Sequence, residues 1–589
     1  MLVPMKVPAQ AQVQGQSEAD LDKLDRMQRQ MNLLQQQIQS LKGEIAQAKK
    51  KPVERDNAYA ASPPPAAKLP PPPAAPTAVA KMTPGYRPSI CAIEGIPGMF
   101  TKTGTPYIDN LNCIALTSRL HFDVGGYDYR PNAPFDVHHP TVDWTVPQNL
   151  DSGVNARRAR IGVIGTFQAD WVYSLIYDLG GSSDGFGSSI TGCALSGTAA
   201  GTSCRVGLLT GGIASGIQTA YLSYQGFKGV TPGGFSWNAA IEGGYSDTFF
   251  SLEQATSTND TMFIERASPE TIATNIAAND FRSNFGGRAY GDWYWAGAYV
   301  TGPTSGAMHS ATGSIRGPTT SGVAGLVPPD GTTEQLGGYA RAAVHFGDPK
   351  QYSIHLGGGF EELFEAPYDY VTGARSLSLT DRPELRIDPT QIVGTNIQGP
   401  APSGHFTFIG FTNAIQNVSH AQAYNVEAAG NVGPLFVQGE YYWIDVERRQ
   451  FAQPASNTIT GPTLHFNGGY IEAGWTLTGE TRTYNAPAGA YNGIVPAHPW
   501  SWKTSDWGAW EIAGRYSVID LNDRLGFPDG AAGGKQTIYT AGLNWYVNRN
   551  VRFMLDYLHG VISKQLTPTN YQDVGAKFDA VAMRTQIAF

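Results

Sequence analysis

Long apolar runs are missing from this chain. None of its 589 residues lies in a stretch approaching the roughly eighteen consecutive apolar residues that a membrane-crossing helix needs, which excludes a helical span. A membrane strand is not excluded, because it needs only about 9–11 residues with alternate ones apolar. Charged residues are scarce, at 15%. An excess of basic residues is absent where a nucleic-acid surface would need it: residues 1–85 hold eleven Lys and Arg against seven Asp and Glu, leaving thirty against forty-two for residues 86–589. Cysteine is limited to Cys91, Cys113, Cys193 and Cys204, two local pairs in Gly-, Ser- or Thr-rich surroundings. Their spacings are unlike zinc knuckles, and an even count points to two disulfides in an oxidising compartment.

Catalytic signatures are also lacking. No phosphate-binding Walker loop and no H-E-x-x-H occurs. The sequence "GSSDG" at Gly181–Gly185 fits G-x-S-x-G but leads into no helix, so the strained turn that exposes a nucleophile is missing. Asp136, His138, His139 and Asp143 offer metal-ligand types, yet adjacent strand residues point apart, and a solvated loop is the simpler reading. Glu361, Glu362 and Glu365 read as an acidic loop rather than an acid/base pair. The expectation is a protein that is not an enzyme, with no cofactor and no metal.

What is present is alternation. In "NARRARIGVIGTFQADWVYSLIYDLGG" Ala159, Ile161, Val163 and Phe167 take one face and Arg158, Arg160 and Thr166 the other; after Gln168–Asp170, Trp171, Tyr173, Leu175 and Tyr177 oppose Val172, Ser174 and Asp178. The pattern recurs with Leu435, Val437, Tyr441 and Trp443 opposite Gln438 and Glu440. It recurs again with Ile512 and Tyr516 opposite Glu511 and Arg515, and with Phe553, Leu555 and Tyr557 opposite Arg552 and Asp556. Each hairpin has an apolar and a charged side, short turns alternate with long Gly-, Ser- and Thr-rich loops, and no helical period is evident from Ala115 to Phe589. Aromatics such as Phe167, Trp171, Trp545 and Tyr546 gather beside the short turns, the level at which rings sit in lipid headgroups. The fold expected is all-β, a transmembrane antiparallel β-barrel of about sixteen strands, apolar outside and wet inside, without free strand edges. On the last strand Val581, Met583 and Ile587 oppose Ala582, Arg584 and Gln586, and the terminal Phe589 resembles the assembly signal of outer-membrane barrels.

Ahead of the barrel, residues 1–17 read as a leader remnant or a disordered start: Ala9–Ala11 resembles a cleavage site, but the apolar stretch before it is short. Residues 18–52 carry a heptad, with Leu24, Met31, Ile38 and Ile45 at one core position and Met27, Leu34, Leu41 and Ala48 at the other, which indicates a coiled coil or one amphipathic helix docked on the main body. Residues 53–85 form a Pro/Ala-rich linker, a stiff spacer of up to about 3 Å per residue. The barrel domain is expected over 86–589.

Several stretches together resemble the phosphate-selective porin O/P family: residues 155–181, "SLEQATSTNDTMFIERASP" at 251–269, the segment 468–499, "WGAWEIAGRYSVIDLND" at 507–523 and the hairpin "AGLNWYVNRNVRFMLDY". The stretch around Cys91 and Cys113 instead resembles the start of alphaproteobacterial porins, which have a cysteine pair before the first strand. The family resemblance implies a sixteen-stranded trimeric barrel, a loop folded into the pore and passive anion uptake past an arginine ladder. Departures exist: in "GYSDTFFSLE", Asp247 stands where the family tends to have lysine. The wall candidates are Arg158, Arg160, Asp178, Asp247, Glu440, Glu511, Arg515, Arg552, Asp556 and Arg584. Two readings stand side by side: the arginines attract anions, or they pair with Asp178, Glu511 or Asp556 across strands and neutralise the wall. The function expected is a diffusion channel for small hydrophilic solutes and ions, with anion or phosphate preference. The alternative is a structural anchor whose periplasmic stalk tethers the membrane to peptidoglycan or another partner. Expected partners are outer-membrane lipid and lipopolysaccharide, the barrel-assembly machinery and like subunits in a trimer.

Overall fold

The structure is a computed structural model; it describes residues 113–132, 150–180, 216–302, 336–395 and 415–589, short gaps aside, and the pair Ser89–Ile90. The coiled-coil heptads, the linker, Cys91, Cys193, Cys204, the 136–143 cluster and "GSSDG" lie outside the described residues. Sixteen strands run antiparallel: β1 Cys113–Pro131, β2 Gly153–Phe167, β3 Trp171–Asp178, β4 Ile217–Val230, β5 Ser236–Asp247, β6 Phe281–Gly291, β7 Tyr294–Thr301 and β8 Leu336–Asp348. They continue with β9 Tyr352–Glu365, β10 Val418–Val432, β11 Leu435–Arg448, β12 Leu464–Thr476, β13 Ala509–Asp523, β14 Ala531–Tyr546, β15 Val551–Ser563 and β16 Ala576–Ala588. Each pairs with its neighbours in sequence, and β16 returns to β1 in register from Arg119↔Ala588 to Pro131↔Ala576, closing the sheet. Closure leaves no row of unpaired backbone groups, which is what hydrocarbon requires.

The period of two sets the two faces. On β16, Val581 and Met583 are 51% and 45% exposed on the outside, while Arg584 between Met583 and Thr585 is 0% exposed. The same holds on β11, where Leu435, Val437, Tyr441 and Trp443 face out and Gln438, Glu440 and Tyr442 are buried. A soluble sandwich would bury the first set; here it forms the barrel's outer surface. At the short-turn end the rings stack as the sequence places them, Phe167 on Trp171 at 5.7 Å and Trp510 on Trp545 at 5.4 Å.

Three connections fold inward. Residues 248–280, between β5 and β6, carry two short helices, α1 Leu252–Ala255 and α2 Ser268–Thr274. These correct the expectation of no helix: one or two turns are too brief to show a period, although Ser251 as N-cap and Pro269 at the start of α2 are helix-start residues. Residues 366–395, after β9, add a second inner wall. The third, residues 477–508 between β12 and β13, departs from the expected alternation of turns and loops: it is a long connection at the end where β2–β3, β6–β7 and β10–β11 are joined by short turns. Buried apolar side chains of α1 and α2, among them Leu252 and Ile272, join Tyr442, Ile444 and Phe466 of β11 and β12 in one core cluster, so part of the lumen is a packed core rather than water.

Candidate functional site

Residues 248–280 traverse the lumen with little secondary structure of their own, so their backbone groups need partners. The wall supplies them. The Glu440 carboxylate accepts hydrogen bonds from the Leu252 and Glu253 amides, both at 2.9 Å, and from the Tyr470 hydroxyl at 2.7 Å. Glu361 accepts from the Ala277 and Ala278 amides, and Asp556 from the Ile264 amide at 2.8 Å. The opposite polarity is met by donors: Arg515 to the Glu265 carbonyl at 2.9 Å, Arg552 to the Asn259 carbonyl, Arg584 to the Ile264 carbonyl and Asn544 to the Met262 carbonyl. Charged residues that alternation turns inward thus act as a dock for a loop's main chain.

Ion pairing takes much of what remains. Arg160 pairs with Asp178 at 2.8 Å across β2 and β3. Arg584 grips Asp123 on β1 at 2.6 Å and Glu265 of the inner loop at 2.8 Å. Arg515 meets Glu384 at 2.6 Å, with Glu253 and Glu472 close by, and lies over the Phe263 ring. Glu511 pairs with Arg482 of the third inward segment, and Arg341 with Glu427. Asp247, at the end of β5, is half-buried in the field of Arg160 and Arg119.

Loop titration follows these contacts. Burial acts to raise Glu265, but Arg157, Arg584, Arg158 and Arg386 outweigh it and hold the carboxyl well below its ordinary range. Burial also opposes ionisation of Asp280, which Arg266 leads the neighbouring charges in holding down. Glu253 goes the other way, pushed well up by burial and then by Glu472. Burial lifts Glu270 to about 8.

Among the described residues, three inward arginines, Arg119, Arg158 and Arg552, have no carboxylate within ion-pair distance; Arg552 is taken up by the Asn259 and Met262 carbonyls. Arg119 donates to the hydroxyls of Thr258 at 2.6 Å and Ser257 at 3.3 Å. Arg158 has one bond, Nη1 to His121 Nδ1 at 3.5 Å, and its Nε is buried without a partner. Arg157, which strict alternation sends to the lipid side, is also buried and pairs with Glu265 at 2.8 Å. The cause is a bulge: His121 faces Arg158 while Asp123 faces Asn155, so β2 gains one residue there and both neighbours turn inward. The signal available in sequence was three arginines within four residues, Arg157, Arg158 and Arg160, too many for one face. Arg157 and Arg158 border a partly open cavity of about 200 Å³, shared with side chains of the 254–280 and 380–386 stretches and Gln391.

Segment 477–508 fills the opposite sector. Arg341 donates to the Ala488 and Gly489 carbonyls, Trp295 Nε1 to the Pro487 carbonyl at 3.0 Å, and the Tyr484 hydroxyl meets His355 Nδ1 at 2.9 Å while its ring stacks on His345. Where the two inner segments meet, Arg482 Nη1 donates to the Asp260 carbonyl at 2.8 Å.

Comparison with known proteins places this geometry. Curated relatives include an uncharacterised protein of Caulobacter vibrioides, 32% identical over 177 residues, and Porin O of Pseudomonas aeruginosa, 27% identical over 213 residues. These matches cover 30% and 35% of this chain and only 32% and 44% of the relatives' own lengths. Among solved structures, in-vitro folded OmpT of Vibrio cholerae aligns over 82% of this chain and 98% of its own, with 8% identity and a TM-score of 0.39. The channel DcaP of Acinetobacter baumannii aligns over 81% and 97%, with 9% identity and a TM-score of 0.36. The family model for phosphate-selective porin O and P matches residues 115–589, all sixteen strands but for the first two residues of β1, and the chain therefore belongs to that family of bacterial outer-membrane porins.

Proposed function

We propose that this porin is a water-filled diffusion channel for small hydrophilic solutes, with a mild preference for anions set at the β1–β2 wall rather than by a continuous ladder. The observation that carries the reading is the contrast between Arg119, Arg158 and Arg552, which have no carboxylate within ion-pair distance, and Arg157, Arg160, Arg341, Arg482, Arg515 and Arg584, which do. A cation in a direct ion pair adds little to the field in the bore, so guanidiniums outside such pairs support a general anion preference more than selection of phosphate. Assembly as a trimer, a coiled-coil stalk in the periplasm reaching peptidoglycan, contact with lipopolysaccharide and delivery by the barrel-assembly machinery belong to the same proposal.

The test is a reversal-potential measurement in planar bilayers across a salt gradient, with chloride and phosphate compared. Anion preference for both ions, reduced in Arg119→Gln, supports the reading; cation preference overturns it, and absence of steady current favours the structural anchor.

A further inference from the structure

The connection between β12 and β13 has a second half that the lumen does not use. Its first part, as far as Tyr491, docks on the inner wall, and Ile494 then packs with Ala509 and Tyr546 at the end of the barrel. From there the chain crosses the rim. The Trp500 amide donates to the Val547 carbonyl at 2.7 Å, and Ser501 pairs with Asp506 to close a turn. Trp545 lies between the buried Asn544 and Tyr546 and so faces outward. Its Nε1 donates to the Trp507 carbonyl at 2.7 Å, and its ring meets that of Trp500 edge-on at 6.4 Å. Residues 500–507 therefore lie against the outer wall, at the end where the turns are short and the periplasm begins. Gly508 returns the chain to β13 with φ +72°, and a Cβ there would lie 2.3 Å from the Tyr546 carbonyl oxygen, so a larger residue would push the turn off the rim.

What this turn presents is aromatic. Trp500, Trp502 and Trp507, three of the chain's twelve tryptophans, fall within eight residues and are 43%, 85% and 67% exposed. Trp545 joins them to the ring row of the wall, stacking on Trp510 at 5.4 Å and on Phe553 at 5.6 Å. That row faces lipid, so the exposed indoles continue a lipid-facing surface rather than forming an isolated patch. The polar groups suit the headgroup zone and not the hydrocarbon. Lys503 is exposed beside the rings, the Thr504 hydroxyl is held by the Asp506 carboxylate, and an irregular turn is tolerated only where water still reaches its backbone.

We propose that residues 500–507 are a membrane-contact strap, seated in the headgroup zone of the periplasmic leaflet with the Trp502 and Trp507 indoles among glycerophospholipids and Lys503 toward their phosphates. The same connection supplies Arg482, Tyr484 and Gly489 to the lumen, so lipid outside the barrel holds the packing inside it. This inference concerns the barrel and its bilayer and does not depend on conduction.

The full-length chain in nanodiscs of phosphatidylethanolamine and phosphatidylglycerol, both faces of which are open to added reagents, tests each half. The difference in emission between wild type and Trp502→Phe isolates Trp502. Including phosphatidylcholine brominated high on one acyl chain should lower that emission about twofold or more, since the ring sits at the headgroup boundary. Emission from Trp502 that the brominated lipid leaves unchanged, whether water, a glycan or another subunit covers the ring, overturns the proposal. Trypsin cleavage after Arg482 should speed about tenfold when Trp502→Ser and Trp507→Ser are combined, and stay near the wild-type rate when both become Phe, because cleavage follows the population of the unseated segment. Heat-resistant migration of the folded barrel on gels keeps unfolding out of the comparison. Wild-type cleavage in the serine pair, with Trp502 quenched by brominated lipid, overturns the link between lipid and lumen.

Discussion

Replacement of Glu440 by alanine isolates the docking of the inner loop. The carboxylate accepts four hydrogen bonds: the Leu252 and Glu253 amides at 2.9 Å, the Tyr470 hydroxyl at 2.7 Å and Asn425 Nδ2 at 3.0 Å. Tyr470 and Asn425 can turn to other acceptors, but the two amides open α1 and are fixed by it. Leaving a buried donor unpaired costs about 1–3 kcal/mol, so Glu440→Ala should destabilise the seated loop by about 2–6 kcal/mol relative to an opened one. Even the lower figure raises the opened population about thirtyfold. Hydrogen exchange read by mass spectrometry on a peptide spanning Phe249–Thr256 reports that population directly. Exchange at Leu252 and Glu253 should accelerate by about thirtyfold or more, with β13–β16 unchanged. Glu440→Gln should fall between, since an amide oxygen serves one donor while its nitrogen confronts the other. Exchange equal to wild type in Glu440→Ala would show that the loop is held by its apolar contacts, and the docking argument would fail.

Arg584→Leu leaves Asp123 and Glu265 facing each other without their shared cation, and should cost about 3–5 kcal/mol in urea unfolding of the micelle-bound barrel. Gly489 has φ +62°, and a Cβ there would lie 2.8 Å from the Trp295 ring. Gly489→Val should therefore unseat segment 477–508 and speed trypsin cleavage after Arg482 at least tenfold. Glu270, raised to about 8 in the folded protein, stabilises the fold in its protonated form. Glu270's contribution to loop stability should be full below its ordinary value of 4.5 and decline as pH rises from there to about 8, and the decline should be shallower in Glu270→Gln, as read by exchange of α2 amides. Glu265 is held down, so its contribution is present above about 4.5 and lost as pH falls further; acid should loosen the 262–266 stretch even where the barrel stays closed.

The faces of the strands were legible because a bilayer imposes a strict rule on alternate residues. Val581, Met583 and Ile587 could point only one way, and Arg584 only the other. The stacked rings at the short-turn end and the turn at Gln168–Asp170 followed from the same period. What alternation could not show was where it breaks: the bulge opposite His121 depends on the pairing with β1, so Arg157 read as outward. The partners of Arg515, Arg552, Asp556 and Glu440 were hidden for a different reason. They bind main-chain atoms of residues 252–265, and a carbonyl or amide leaves no mark in the sequence. Neither did the reading of ion pairs foresee Glu511 with Arg482, because residue 482 lies in a connection that the pattern of short turns gave no cause to place inside.

The joint between first and last strands has an implication for how the cylinder is made. Asp123 belongs to β1 and Arg584 to β16; Arg584 holds Asp123 across the seam and also reaches Glu265 and the Ile264 carbonyl of a segment that sits inside. Were the staves brought together around an empty middle, Arg584 would still hold Asp123 but would lack the Ile264 carbonyl and the Glu265 carboxylate that complete its contacts. The seam and the contents of the cylinder thus share one side chain, with residues 264 and 265 as the keystone.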